Sequence, residues 1–193
     1  MTIDGLILAA GESRRMGRIK PLLEYRGQTF LDHLIERFAP FCRATVAVVG
    51  AHAKEIIAGT ARSAQVQFVQ NMGYREGQLS SLQAGLHALQ DPDYVLMTLA
   101  DHPNVSVRTI EALIAAPAVL AIPRYCGRNG HPILFSRAVA GELLALAPFE
   151  SAKQVIYARR DDTRFVEVDD AGILQDIDDP AAYDALLSVS GGA

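Results

Sequence analysis

Cysteine is scarce. Only Cys42 and Cys126 occur among 193 residues, too few for a disulfide framework, so a reducing, cytoplasmic compartment is the simplest expectation. No apolar run approaches the ~20 residues that a membrane-spanning helix needs. The pattern of a secretory leader is missing as well: the apolar stretch Gly5 to Ala10 is short, and Arg14 and Arg15 follow it rather than precede it. There is no long basic tract and the net charge is −4, which argues against nucleic acid and anionic membranes as partners. Positive charge is instead local. Arg14, Arg15, Arg18 and Lys20 crowd one short stretch, which points to a small anionic ligand. No repeat, low-complexity segment or linker interrupts the chain, so residues 1–193 are expected to form one domain. A chain of this length buries roughly 70% of its unfolded surface and needs neither disulfide nor structural metal to fold.

What is present is an alternation of β-branched apolar runs with helix-period segments. Ile3 to Ala9 reads as a strand. Thr29 caps a helix with Asp32 three residues on and Phe30, Leu31, Leu34, Ile35 and Phe38 along one face. Strands follow at Ala44 to Val49, Val66 to Val69 and Tyr94 to Leu99, the last apolar enough to be buried on both faces. Between them lie a short helix at Ala53 to Ala61 and one capped by Ser80 or Ser81. Ser106 opens another helix. Short strands at Val119 to Ile122 and Pro132 to Phe135 precede helices at Ser136 to Leu146 and Glu150 to Arg159. A last strand at Phe165 to Val168 leads to a helix opened by Pro180 and a frayed tail over 188–193. This order predicts an α/β fold: a three-layer, doubly wound, mostly parallel sheet. Ligands then bind beyond the carboxyl ends of the strands.

Four segments carry candidate chemistry. The loop Ala10 to Lys20 combines glycines, which let backbone amides approach a ligand, with several cations, as polyphosphate binding requires. Its glycine spacing fits neither a Walker A loop nor a dinucleotide fingerprint, and a solvated surface loop is the plain alternative. Asp101 ends an apolar strand, where an ionised carboxylate needs a cation or a metal; it equally suits a turn before Pro103. Asn71 to Ser81 is polar and glycine-containing and runs into a helix, which suits reading a nucleobase edge, although alone it reads as an ordinary surface loop. The stretch Asp176-Ile177-Asp178-Asp179-Pro180 offers a second metal carboxylate or merely favourable charge at a helix start. His33, His52 and His87 lack metal-ligand spacing and are expected at the surface. Met16 is expected to anchor the first loop by packing.

In order and spacing these segments resemble the MobA-like NTP transferase family, the molybdenum-cofactor nucleotidyltransferases and their relatives. Leu8 to Lys20 is similar to that family's Leu-Ala-Ala-Gly, Ser, Arg-Met-Gly, Lys signature. Asn71, Gly77, Ser81 and Leu82 to Leu86 resemble its base-reading loop. Asp101-His102-Pro103 resembles its Asp-Gln-Pro metal site, with histidine for glutamine. Gly130-His131-Pro132 resembles an acceptor-side element, and Asp176 to Pro180 resembles Asp-Ile-Asp-Thr-Pro. Pro148 to Lys153 departs from the family's Gly-Asp and Ala-Arg elements, which leaves the acceptor open.

The resemblance implies a Mg²⁺-dependent transfer of a nucleoside monophosphate, CMP from CTP, onto a small phosphorylated acceptor such as molybdopterin. A molybdenum hydroxylase would receive the product. Leu8, Ala9, Ala10, Gly11, Asn71, Gly77 and Ser81 would surround the nucleotide. Arg15, Lys20 and Asp101 would be catalytic, Asp101 and Asp178 would ligate the metal, and His131 would face the acceptor. The rival readings are a non-catalytic molybdenum-cofactor carrier, or a cytidylyl- or guanylyltransferase for another phosphorylated metabolite.

Overall fold

The computed structural model describes residues 1–190. In chain order the strands are β1 (Ile3–Ala9), β2 (Glu24–Tyr25), β3 (Gln28–Thr29), β4 (Thr45–Val49), β5 (Gln67–Gln70), β6 (Tyr94–Leu99), β7 (Leu120–Tyr125), β8 (Arg128–Asn129), β9 (Ile133–Ser136) and β10 (Thr163–Glu167). The helices are α1 (Phe30–Phe38), α2 (Ala53–Gly59), α3 (Gln78–Ala88), α4 (Val107–Ala115), α5 (Arg137–Ala145), α6 (Ala152–Ala158) and α7 (Pro180–Ser190).

The main sheet has the order β10-β7-β9-β6-β1-β4-β5, with β8 added to β7, while β2 and β3 form a separate hairpin. β1 is parallel to β4 and β6, β4 to β5, and β10 to β7. The exceptions are β9, antiparallel between β6 and β7, and the short β8. Every residue of the central β1 is buried. Its one charge, Asp4, is matched by Arg43 through Nε at 3.1 Å and Nη2 at 2.7 Å.

Alternation along β1 divides the core. Ile3, Ile7 and Ala9 pack with apolar residues of α1, α2 and α4; Leu6, Leu8 and Ala10 pack with those of α3, α5 and α6. The result is the expected three-layer arrangement. Gly85 lets α3 lie close on the sheet, since a Cβ there would stand 2.8 Å from Val48 Cγ2. A third apolar cluster joins Met16, Leu23, Tyr25, Phe30, Ile177, Tyr183 and Leu186. It clamps α7 and the hairpin onto the loop after β1, with Tyr183 Oη donating to the Glu24 carbonyl at 2.7 Å. Met16 is thus a packing anchor.

Three local expectations change. α3 starts at Gln78, before either serine, because Gly77 at φ 115° serves as its N-cap. The Ser80 hydroxyl donates to the carbonyls of Gly73 and Gly77, so neither serine is needed as a cap. His33 is buried rather than exposed, with Nε2 2.5 Å from the Tyr25 carbonyl. The terminal helix continues to Ser190, past the start of the expected fraying; residues 191–193 lie outside the described residues. The Thr29 cap of α1 holds as expected, its Oγ1 accepting from Asp32 N at 3.1 Å.

Candidate active site

The parallel strands β1, β4, β5 and β6 end at one edge of the sheet, which brings together the loops after Ala9, Gln70 and Leu99. Three contiguous hollows open there. The first, about 210 Å³, is lined by Leu8, Ala9, Gly11, Ser13, Arg14, Arg15, Lys20, Pro21, Ala100, Asp101 and Asp178. The second, about 250 Å³, shares Leu8, Gly11 and Asp101 and adds Ala10, Tyr74, Gly77, Gln78, Ser81 and Leu99. A third, about 370 Å³ and mostly apolar, shares Leu8, Gly77 and Gln78 and extends to His131, Glu150 and Lys153. Eleven of the twelve residues singled out from the sequence therefore line one continuous depression, scattered though they are from position 8 to 178.

The exception is Asn71, which acts one step back. It is buried, its Nδ2 donates to the hydroxyls of Ser80 and Ser81 at 3.0 Å each, and its Oδ1 accepts from Gly73 N at 2.9 Å. Its amide shapes the loop and presents Ser81. Sequence reasoning left out Ser13, Tyr74, Gln78 and Lys153. Ser13 has φ 52° and accepts the Lys20 backbone N–H at 3.1 Å, so it folds the first loop back toward the sheet.

Lys20 sits where three loops meet. Its Nζ is 2.5 Å from Asp178 Oδ1 and 3.3 Å from Asp101 Oδ2, and only 14% of its side chain is exposed. Burial works against the ammonium, but the hydrogen bond to Asp178 and the charge of Asp101 outweigh it, so its pKa is raised. Asp178 is held below the usual carboxylate range, chiefly by its hydrogen bond to Lys20, with Arg15 contributing. Arg15 pairs with the other Asp178 oxygen and remains mostly exposed. Nearby, Glu12 pairs with Arg14 and Arg75, which pulls its pKa down.

Asp101 presents its second oxygen elsewhere. Oδ1 is buried and has no hydrogen-bond partner. It belongs to a group, with His102 and Asp176, whose ligand atoms lie within 4.8 Å of one another and could hold a metal ion. Burial raises the Asp176 pKa, and the charges of Asp101 and Asp178 raise it further. A buried carboxylate oxygen without a partner, beside an imidazole and a second carboxylate, is a donor set that fits a metal ion. Asp178, expected as the second ligand, is engaged by Lys20 and Arg15, while Asp176 of the same motif stands in the group.

His131 faces the third hollow. Its ring lies 5.1 Å from that of His102, centroid to centroid, and burial together with His102 pushes its pKa down to about 3. Gly130 beside it lies against the Ile173 backbone, where a side chain would collide. Of the other expected features, Cys42 is half-buried and Cys126 exposed, with no disulfide. No helix among the described residues is long and apolar enough to cross a membrane.

Comparison with known proteins agrees with this geometry. Residues 5–163 match the MobA-like NTP transferase domain. Over 181 residues the chain is 31% identical to the molybdenum cofactor cytidylyltransferase of Escherichia coli, covering 92% of each chain. It is 34% identical over 144 residues to the nicotine blue oxidoreductase of Paenarthrobacter nicotinovorans, covering 68% of this chain and 70% of that one. The crystal structure of Rv0371c from Mycobacterium tuberculosis matches with a TM-score of 0.83 at 29% identity, over 97% of this chain and 98% of that one. The same mycobacterial protein has also been solved in complex with manganese, with a TM-score of 0.80 at 27% identity, over 97% of this chain and 99% of that one. With a match spanning most of its length and a glycine-rich cationic loop facing a metal-capable acidic group, the chain belongs to the MobA-like NTP transferase family of nucleotidyltransferases.

Proposed function

We propose that this protein transfers CMP from CTP to a small phosphorylated acceptor, molybdopterin, and releases pyrophosphate. The observation that carries the reading is the position of Lys20: a partly buried ammonium between Asp101 and Asp178, at the end of a glycine-rich loop. A cation held by two carboxylates is primed to exchange one of them for an incoming phosphate.

An acceptor phosphate oxygen attacks the α-phosphorus. The bond from that phosphorus to the bridging oxygen of the β-phosphate breaks, and pyrophosphate departs with the electron pair. No covalent enzyme intermediate is required, so the protein contributes positioning and charge neutralisation. The Gly11 region offers backbone amides to the phosphates. Arg15 and Lys20 stabilise charge on the α-phosphate and the leaving pyrophosphate. Ala9, Ala10, Gly77 and Ser81, with Asn71 behind them, enclose base and ribose. A divalent ion, Mg²⁺ in the simplest case, held at Asp101 with the neighbouring Asp176, would supply further neutralisation of the phosphate oxygens.

His131 and Lys153 border the third hollow and are assigned to the acceptor. Lys153 lies in the segment that departs from the family pattern, and its ammonium suits an acceptor phosphate. The E. coli relative, a molybdenum cofactor cytidylyltransferase 31% identical over 92% of the chain, supports the choice of CTP and of a molybdenum-cofactor acceptor. The test is pyrophosphate release with each of the four NTPs against a panel of phosphorylated acceptors. Release with CTP and molybdopterin is expected; release only with a different acceptor would move the substrate assignment and leave the reaction class standing.

A further inference from the structure

The two oxygens of Asp101 face different cationic positions. Oδ2 takes Lys20, whereas Oδ1 is buried without a partner on the side of His102 and Asp176. His102 is itself a buried polar side chain, only 8% exposed, and its Nδ1 has no hydrogen-bond partner. Its Nε2 stands 3.8 Å from Asp101 Oδ1. That separation is too long for a hydrogen bond, yet an ion bound to both atoms at about 2.0–2.2 Å spans it.

We propose that His102 is a metal ligand, so that the site is built from Asp101 Oδ1, His102 Nε2 and Asp176, and that it therefore favours a divalent transition ion over Mg²⁺. The chemistry follows from the donor set. Carboxylates alone suit hard ions such as Mg²⁺, which keeps its waters and binds imidazole poorly; a nitrogen ligand shifts preference toward first-row transition ions. Occupancy would also settle the like charges of Asp101, Asp176 and Asp178 without displacing Lys20 from Oδ2. Asp178 then remains the Lys20 and Arg15 partner rather than a ligand. The assignment rests on the transferase reading only for the importance of the site, not for its existence.

The experiment uses the full chain with Mn²⁺ as probe and no nucleotide or acceptor. Electron spin-echo spectroscopy of bound Mn²⁺ should show modulation from a directly coordinated ¹⁴N nucleus in wild type and none in His102→Gln. Calorimetric titration should show the preference for Mn²⁺ over Mg²⁺ falling by about tenfold or more in His102→Gln, since changes even to outer partners of metal ligands cost about 10–100-fold. Wild-type Mn²⁺ binding without nitrogen modulation, or an unchanged Mn²⁺/Mg²⁺ ratio in a folded His102→Gln, overturns the proposal. If the variant fails to fold, the wild-type nitrogen signal alone decides. Nitrogen coordination in a protein that transfers no nucleotide would uphold this site and refute the proposed reaction.

Discussion

Lys20 shows how one side chain couples loop, metal group and terminal helix. Lys20→Ala should lower kcat by about 10²–10³-fold, the range seen when one charge-stabilising donor is removed, while the protein stays folded. A change confined to KM in steady-state assays would reduce Lys20 to a uniform binding contact. The ion pair also has a pH window. Because the Lys20 pKa is raised, its contribution to stability is complete below the ordinary value of 10.5 and is lost as pH climbs through the raised value. Because the Asp178 pKa is lowered, its contribution is complete above 3.8 and is lost as pH falls through the depressed value. The stability gap between wild type and Lys20→Met should therefore be level from about pH 5 to about pH 9 and shrink toward both extremes in urea titrations.

A second prediction at this scale concerns thiols. Burial pushes the Cys42 thiol up to about 12, whereas Cys126 is exposed; a thiolate reagent at pH 8 should modify one cysteine in the native protein and two after denaturation. A third concerns the base. Ala10 is buried and borders the hollow assigned to it. A methyl group there crowds a purine more than a pyrimidine. CTP should raise the melting temperature more than GTP, and Ala10→Gly should narrow the difference; a larger shift with GTP in wild type would refute the cytidylyl preference.

At the scale of elements, the strands were readable because β-branched runs buried on both faces have few alternatives. β1 and β6 illustrate this: each is apolar almost throughout and lies inside the sheet. Helices with a capping residue and one apolar face, such as α1, were equally plain. What could not be read was pairing. β9 enters antiparallel between two strands that belong to parallel neighbourhoods, a choice made by tertiary packing rather than local pattern. The β2–β3 hairpin has two residues per strand, too short for any period to register. The start of α3 was misplaced because serine caps are common, whereas here a glycine with φ 115° does that job and the serines bind Asn71. Close approach of α3 to the sheet is testable through Gly85. Gly85→Ala would place a methyl group against Leu6 and Val48. Overpacking of this kind costs about 1–3 kcal/mol, visible as an earlier urea midpoint with an unchanged slope.

For the whole molecule, the doubly wound topology decides where chemistry happens before any side chain is considered. Parallel strands end together, and segments as distant as positions 8, 77, 101, 131 and 178 meet at that edge. That the residues proposed for the nucleotide would cluster was legible because they fall within short, ordered signatures. Of the third hollow only the Gly130-His131 element was legible, since the rest of its wall is assembled from residues of β1, β6, β7, β9, α3 and α6 that share no motif. Lys153 illustrates the difficulty: its segment shows only a departure from the family pattern, and folding brings it to the hollow that His131 also borders. Lys153→Ala should raise the KM for the acceptor by about tenfold, the loss of one charge-assisted contact, with the CTP constant unmoved. The central claim is that a nucleoside monophosphate moves intact to a phosphorylated acceptor. Its most direct test is a reaction with CTP labelled at the α-phosphorus, a divalent metal ion and molybdopterin, followed to completion. The account predicts that label appears in the acceptor, with one pyrophosphate released for each label transferred. Label left entirely in CTP, or recovered as free CMP with none in the acceptor, would contradict it.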